Sequence, residues 1–190
     1  MARQKSFNEQ EVLEKAMNVF WKKGYEKTSM QDLVNEMTIH RRSLYDTFGD
    51  KQHLFLLSLR LYKEMIEKKI SEEILEDMST REKLKRIFSI LSVEKNHNSG
   101  CLIVNSAMEC SSLDSIVAKE IRNYFKSEER HLLKILLSGQ KKKEISTEAN
   151  VEMLASYLHN ALVGIRVLSK TTNDHKKLTD IIEQTLLTIK

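Results

Sequence analysis

Apolar residues recur every three or four positions along almost the whole chain, the spacing of helices that each bury one face. Val12, Leu13, Ala16, Met17, Phe20 and Trp21 form the first such stripe. Asn8 and Glu11 stand before it at capping-box spacing, and Gly24 follows it as a carboxy-terminal stop. Thr28 and Ser29 offer the next cap, with Asp32 three residues beyond Ser29. Met30, Leu33, Val34 and Met37 then lie at i, i+3, i+4 and i+7. The turn Met37-Thr38-Ile39 leads into a short third helix, about residues 40–48. At about 100° per residue, Leu44 and Phe48 share a face there, while Arg42 and Asp46 point away from it. Ser43 and Tyr45 flank the two sides, and Arg41 sits in the first turn. Gly49-Asp50 breaks the chain before a fourth helix that starts near Lys51. Its run from Leu54 through Leu57 to Leu61, Tyr62, Met65 and Ile66 is apolar over most of the circumference. It is therefore expected to be buried on two sides, to be alone in touching both halves of the molecule, and to act as the lever between them.

Further helices are expected at about 80–93, 101–111, 114–138, 147–169 and 174–189. Breaks fall at Asp77-Met78-Ser79, Lys95–Gly100, Ser111-Ser112, Ser138–Lys143 and Thr171–Asn173. Lys141-Lys142-Lys143 reads as a solvated loop. The last two helices carry broad apolar faces, Val151, Leu154, Ala155, Leu158, Ala161, Leu162 and Ile165 on one and Leu178, Ile181, Ile182, Thr185 and Ile189 on the other. Ala155, Ala161 and Gly164 permit close approach. Periodicity alone fits two arrangements, half of a four-helix homodimer interface or an intramolecular core pair.

Composition strengthens the all-α reading. The 190 residues contain no proline and five glycines, where average usage gives roughly nine or ten prolines. Proline is the common interruption of helices, so its absence suits long helices joined by short polar loops. No segment approaches the ~18 apolar residues of a membrane span, and the amino terminus lacks an apolar secretion segment. The two cysteines, Cys101 and Cys110, are too few for a secreted disulfide scaffold. A soluble, cytoplasmic protein with no membrane partner is expected. The net charge of +4 is compatible with a polyanion partner but occurs in many proteins without one. Through residue 55 there are nine Lys/Arg against eight Asp/Glu, so any DNA affinity must come from where the charges sit.

Candidate chemistry concentrates on the third helix. With two or three apolar anchors it cannot be central core, and it presents two adjacent arginines and a tyrosine to solvent. Such a helix suits the DNA major groove, where an arginine fork bonds guanine O6 and N7 and contributes ~1–3 kcal/mol of base discrimination. Arg42 and Asp46, at i and i+4, can form an ion pair that presets the guanidinium. The amino terminus of the fourth helix, aided by Lys51, can hold a phosphate. Nothing comparable supports an enzyme. There are no paired carboxylates in a recognisable motif, no nucleophile with a base at diagnostic spacing and no glycine-rich phosphate loop. His97 and Cys101 have helical spacing for two metal ligands, yet no nearby pair completes a site, and His131, His159 and His175 are scattered. No metal and no cofactor are expected.

Together these residues resemble the TetR family of bacterial transcriptional regulators, most clearly over about 10–62. The resemblance rests on the first helix through Phe20, the Gly24-Tyr25 step, Thr28-Ser29, Ser43-Leu44-Tyr45, Phe48, Lys51 and Leu54. It implies a helix-turn-helix DNA-binding unit over 6–50 and a larger helical ligand-binding and dimerisation domain over 51–190. It also implies a homodimer through about 147–189, a double-stranded DNA operator as partner, and a repressor released by a small-molecule inducer. On this alignment Thr28, Ser29, Tyr45 and Lys51 hold phosphates, Arg41, Arg42 and Ser43 face bases, and His40 caps the helix or touches a phosphate. Two departures stand out: Thr38 where the family usually places glycine, and His40 where it places a Ser or Thr cap. A positive φ at Thr38 carries a strain of about 1 kcal/mol.

Gly100-Cys101-Leu102 through Asn105 and Glu109 resembles the sixth helix of a subgroup. Ligand-contact candidates are Phe88, Cys101, Asn105, Met108, Glu109, Tyr124 and Tyr157, and a glutamate at depth would favour a cationic inducer. A switch by cysteine oxidation or by a protein partner is the alternative. Cys101 and Cys110, ~180° apart on one helix, cannot pair with each other while it stays helical.

Overall fold

Side-chain caps set most of the helix boundaries in the computed structural model, which describes residues 7–93, 100–110 and 115–189. Helix α1, Glu9–Lys23, opens where the Asn8 side chain accepts from the Gln10 and Glu11 amides, and closes at Gly24, whose N–H donates to Phe20 O at φ 84°. Helix α2, Met30–Met37, starts with a full capping box between Ser29 and Asp32. The Lys23 ammonium and the Ser29 groups hold the Asp32 carboxyl well below its ordinary range. Helix α3 is Arg41–Phe48 and helix α4 is Lys51–Glu73, the latter capped by Asp50 on the His53 amide. Then follow α5, Thr80–Ser92; α6, Leu102–Cys110; α7, Ser115–Lys141; α8, Val151–Thr171; and α9, His175–Leu186. No strand occurs among the described residues. The expected breaks within 94–99 and 111–114, and His97 with them, lie outside the described residues.

Three expected boundaries move by three residues or more: α8 begins at Val151 and not near 147, α9 ends at Leu186 and not at 189, and α7 is longer. Helix α7 runs on to Lys141 instead of stopping near 138, because Gly139 is a contact and not a stop. A Cβ there would stand 2.4 Å from Thr80 Oγ1 and 2.9 Å from Ile145 Cδ1. Glycine lets α7 press against the start of α5, and the turn falls instead at Lys143, at φ 60°.

Two apolar clusters follow from the packing. The first gathers α1 to α4 around Phe20, Leu33, Leu44, Phe48 and Phe55, and reaches into Leu102 of α6 and Val117 and Ile121 of α7. The second joins α5, α7, α8 and α9 through Leu84, Phe88, Leu136, Leu158, Leu162, Ile182 and Leu186. Of the two arrangements that periodicity allowed, the faces read from the last two helices therefore take the intramolecular one, Val151 to Ile165 and Leu178 to Ile189 packing in or against this cluster. A nest of aromatic rings locks α1 to α4: Phe20 meets Phe55 edge-on at 4.9 Å, Tyr25 meets Phe55 at 4.7 Å, and Trp21 meets Tyr62 at 5.1 Å. Such pairs contribute about 0.5–1.5 kcal/mol each beyond their burial.

Thr38 adopts φ 55° and ψ 37°, the left-handed region, at the end of α2. The tight turn needs that conformation, and a β-branched residue supplies it at a cost of roughly 1–2 kcal/mol. Its hydroxyl bonds Met37 O at 2.7 Å and accepts from Lys15 Nζ at 3.1 Å, partly offsetting the strain. Thr38→Gly should therefore raise unfolding stability by about 1 kcal/mol, whereas Thr38→Val, still branched and without the hydroxyl, should lower it. Urea unfolding of the two variants beside the parent protein checks both signs.

Candidate DNA interface and ligand cavity

Helix α3 is held by its inner face alone: Leu44 and Phe48 are its buried residues. Everything opposite is open. Arg42 is 92% exposed and its Nε lies 3.7 Å from Asp46 Oδ2, the expected i, i+4 pair. An exposed pair of this length presets a direction and adds little stability. The Arg41 guanidinium lies 5.9 Å from the centre of the Tyr45 ring. Ser43 is half-buried and Tyr45 exposed on the flanks. His40 occupies the N-cap position but makes no side-chain cap bond, so of its two expected roles the capping one is not realised.

The expected phosphate group divides. Ser29 stands exposed at the start of α2. Lys51 lies over the Tyr25 ring at 4.5 Å, with Nζ 3.4 Å from Glu26 O. Thr28 is instead 1% exposed, its hydroxyl donating to Gly24 O at 2.6 Å. Its hydroxyl is spent closing the turn between α1 and α2, which corrects its assignment to a surface contact.

In the second half, a cavity of about 710 Å³ opens among α4, α5, α7 and α8. Ile66, Ile70, Ile87 and Leu91 give it apolar walls, and Tyr124, Glu128 and His131 bring polar groups to it. Of the seven residues expected at a ligand, Tyr124 lines this cavity. Phe88 is core, one helical step from the lining residues Ile87 and Leu91. Cys101 and Cys110 are buried and not disulfide-bonded, Cys101 lying beside the Tyr62 hydroxyl. Tyr157 and Met108 face solvent, Met108 at 82% exposure. Asn105, Met108 and Glu109 line a different groove, between α1 and α6, where Asn105 accepts from Lys170 Nζ at 3.3 Å. The expectation that α4 alone touches both halves is also corrected. Helix α6 reaches the α1–α2 turn through Glu109, and Trp21 Nε1 donates to Gly100 O at 3.1 Å.

Sequence reading missed the polar centre of this half. Arg166, fully buried on α8, donates through Nη1 at 3.0 Å and through Nη2 to the two oxygens of Glu128 on α7. His159 Nε2 lies 3.5 Å from the same carboxylate. Burial pushes the Glu128 carboxyl up, but the Arg166 guanidinium and His159 together outweigh it and the group titrates below its ordinary range. The reciprocal attraction holds Arg166 charged against its own burial. Burial and the neighbouring Glu128 push the Tyr124 hydroxyl up, so it enters the cavity as a neutral phenol. Burial and Lys134 push His131 down. The partners lie 38 residues apart, so no local spacing announces them; an arginine in the apolar run of α8 was the available signal.

A short helix-turn-helix with an exposed, arginine-bearing second helix, joined to a larger helical unit, defines a DNA-binding regulator. Residues 12–57 match the family described as bacterial regulatory proteins, tetR family, and residues 81–185 match the tetracyclin repressor-like C-terminal domain. The chain is 32% identical to the uncharacterized HTH-type transcriptional regulator YezE of Bacillus subtilis (strain 168), over 98% of each protein. It is 28% identical to the HTH-type transcriptional repressor ComR of Escherichia coli (strain K12), over 97% of this chain and 90% of that one. Among solved structures, it is similar to a cysteine mutant of the TetR family regulator CifR complexed with 26-bp double-strand operator DNA. That likeness has a TM-score of 0.90 at 23% identity and covers 100% of both chains. The chain belongs to the TetR family of bacterial transcriptional regulators. Neither matched family is one of enzymes, and no helix among the described residues is long and apolar enough to cross a membrane.

The buried pair has a measurable consequence. Glu128→Ala leaves Arg166 charged and unpaired in the core, and should cost about 3–5 kcal/mol in chemical unfolding. Because the folded Glu128 value is depressed, its stabilisation is complete above its ordinary value of 4.5 and is lost as pH falls through the lower folded value. Unfolding followed between neutral and acid pH should show that limb in the parent protein and lose it in Glu128→Gln.

Proposed function

We propose that this chain is a homodimeric repressor whose two α3 helices read a palindromic DNA operator and whose carboxy-terminal unit releases it on binding a small molecule. The observation that carries the reading is α3 itself, anchored by Leu44 and Phe48 and presenting Arg41 and Arg42 outward. Arg41, Arg42 and Ser43 face the bases. Ser29, Tyr45, Lys51 and the His40 ring hold phosphates, while Thr28 supports the turn beneath them. The division is 6–50 for DNA binding and 51–190 for ligand binding and dimerisation. Operator DNA is the molecule bound in the CifR complex, whose fold this chain shares along its whole length.

The inducer site is the cavity beside Tyr124 and Glu128. The Arg166 guanidinium already balances Glu128, and Glu109 lies elsewhere, so the earlier reason to favour a cationic ligand disappears. A largely apolar, uncharged molecule with one hydrogen-bonding end suits these walls. A hundredfold release from DNA then needs about 2.7 kcal/mol of differential binding between the two states. Cys101 and Cys110 are both buried, so the thiol-switch alternative has less support than the cavity. For the dimer, the support is an unpartnered stripe on α8: Met153, Tyr157, Val167 and Leu168 are exposed, and a Cβ on Gly164 would meet nothing within 4 Å. The reading requires two subunits packed along it to hold their α3 helices about one DNA turn, ~34–36 Å, apart.

Selection from random duplex DNA should yield a two-fold-symmetric site. Arg42→Ala should weaken it by about 1–3 kcal/mol and relax one base position in each half-site. Salt-sensitive, sequence-blind binding would sink the reading. Gly164→Arg, placed in the centre of the stripe, should turn the sedimenting species from dimer to folded monomer.

A further inference from the structure

The α1–α2 turn is gripped from the other unit by a single carboxylate. Glu109 on α6 accepts from Tyr25 N at 3.0 Å through Oε2 and from Glu26 N at 2.8 Å through Oε1. The two amides stand just beyond the Gly24 cap of α1. The approach is close enough to exclude a side chain at the preceding residue. A Cβ on Gly24 would lie 2.8 Å from Glu109 Oε2, and Gly24 holds φ +84°. The same turn carries groups proposed above to meet DNA. Lys51 reaches Glu26 O and lies over the Tyr25 ring, and Ser29 follows three residues after Glu26. One turn earlier on the same face of α6, Asn105 ties it to α8 through Lys170.

We infer that Glu109 is a positioning residue for operator binding, its carboxylate holding the α1–α2 turn, and with it Lys51 and the start of α2, in the DNA-competent place. The inference rests on the DNA-reading function proposed above. A charge-assisted, two-bond grip on main-chain N–H groups fixes direction as well as distance. It touches no DNA itself. It acts by making the reading head rigid with α6 before DNA is met, so that ordering is not charged against binding.

The test uses the full-length protein and the duplex recovered from random-sequence selection. Glu109→Ala should bind that duplex about tenfold more weakly, within the usual range of coupling between sites. Glu109→Gln, which retains one carbonyl oxygen as acceptor, should fall between it and the parent. Amide hydrogen exchange should accelerate at Tyr25 and Glu26 in both variants while the α1 interior stays protected, a readout that general loss of stability would not give. Should Glu109→Ala fail to fold, Glu109→Gln decides by the same two measurements. Operator binding within twofold of the parent, or tighter, with unchanged exchange at Tyr25 and Glu26, overturns the proposal while leaving the DNA-reading function standing. A parent protein that selects no specific duplex overturns both.

Discussion

A helix that reads DNA must leave most of its surface empty, and this constraint shapes the rest of the molecule. Leu44 and Phe48 are what α3 buries, far too little apolar area to fix its own direction. Its orientation is borrowed from α1, α2 and α4, and those are fixed by the aromatic joint of Phe20, Tyr25 and Phe55. The strained Thr38 sets the angle at which α3 leaves α2, and Gly49, at φ 72°, sets where α4 begins. Rigidity is built behind the helix because it cannot be built around it.

The second unit is organised on the opposite principle. Its centre holds a charge pair in place of pure hydrocarbon: Arg166 and Glu128, with His159 and the Tyr124 hydroxyl near them. A buried pair of this kind adds little net stability over an apolar replacement, yet breaking one side of it is severe. That asymmetry favours one arrangement of α7 against α8, two of the four helices that wall the cavity. The cavity lies beside this pair, so the one carboxylate at its polar centre, Glu128, is already balanced by Arg166. Between the units, α6 joins α4 as a connection, meeting α8 through Asn105 and the α1–α2 turn through Glu109 one helical turn later.

The amino-terminal helices were legible because their signals are local. The Ser29 and Asp32 capping box, the Gly24 stop and the four-residue spacing of Leu44 and Phe48 each lie within one or two turns of chain. The outward direction of Arg42 and Asp46 followed from helix geometry alone. The break expected at Ser138–Lys143 came a few residues early, since Gly139 serves a close helix contact and not a turn. The cavity was largely illegible. Ile66, Leu91, Tyr124 and Leu162 belong to four helices, and what brings them together is tertiary packing. Glu109 looked like a polar group for a ligand because its sequence neighbours say nothing of the two amides it meets some eighty residues earlier.

The central claim is that α3 of each subunit enters the major groove, and guanine-N7 methylation interference on the selected duplex tests it most directly. Methyl groups at N7 block the major-groove face of guanine and leave the minor groove open. The account predicts two symmetric clusters of interference on one face of the duplex, their centres about 10–10.5 base pairs apart. A single cluster, or no sensitivity to N7 methylation in a specific complex, would contradict it.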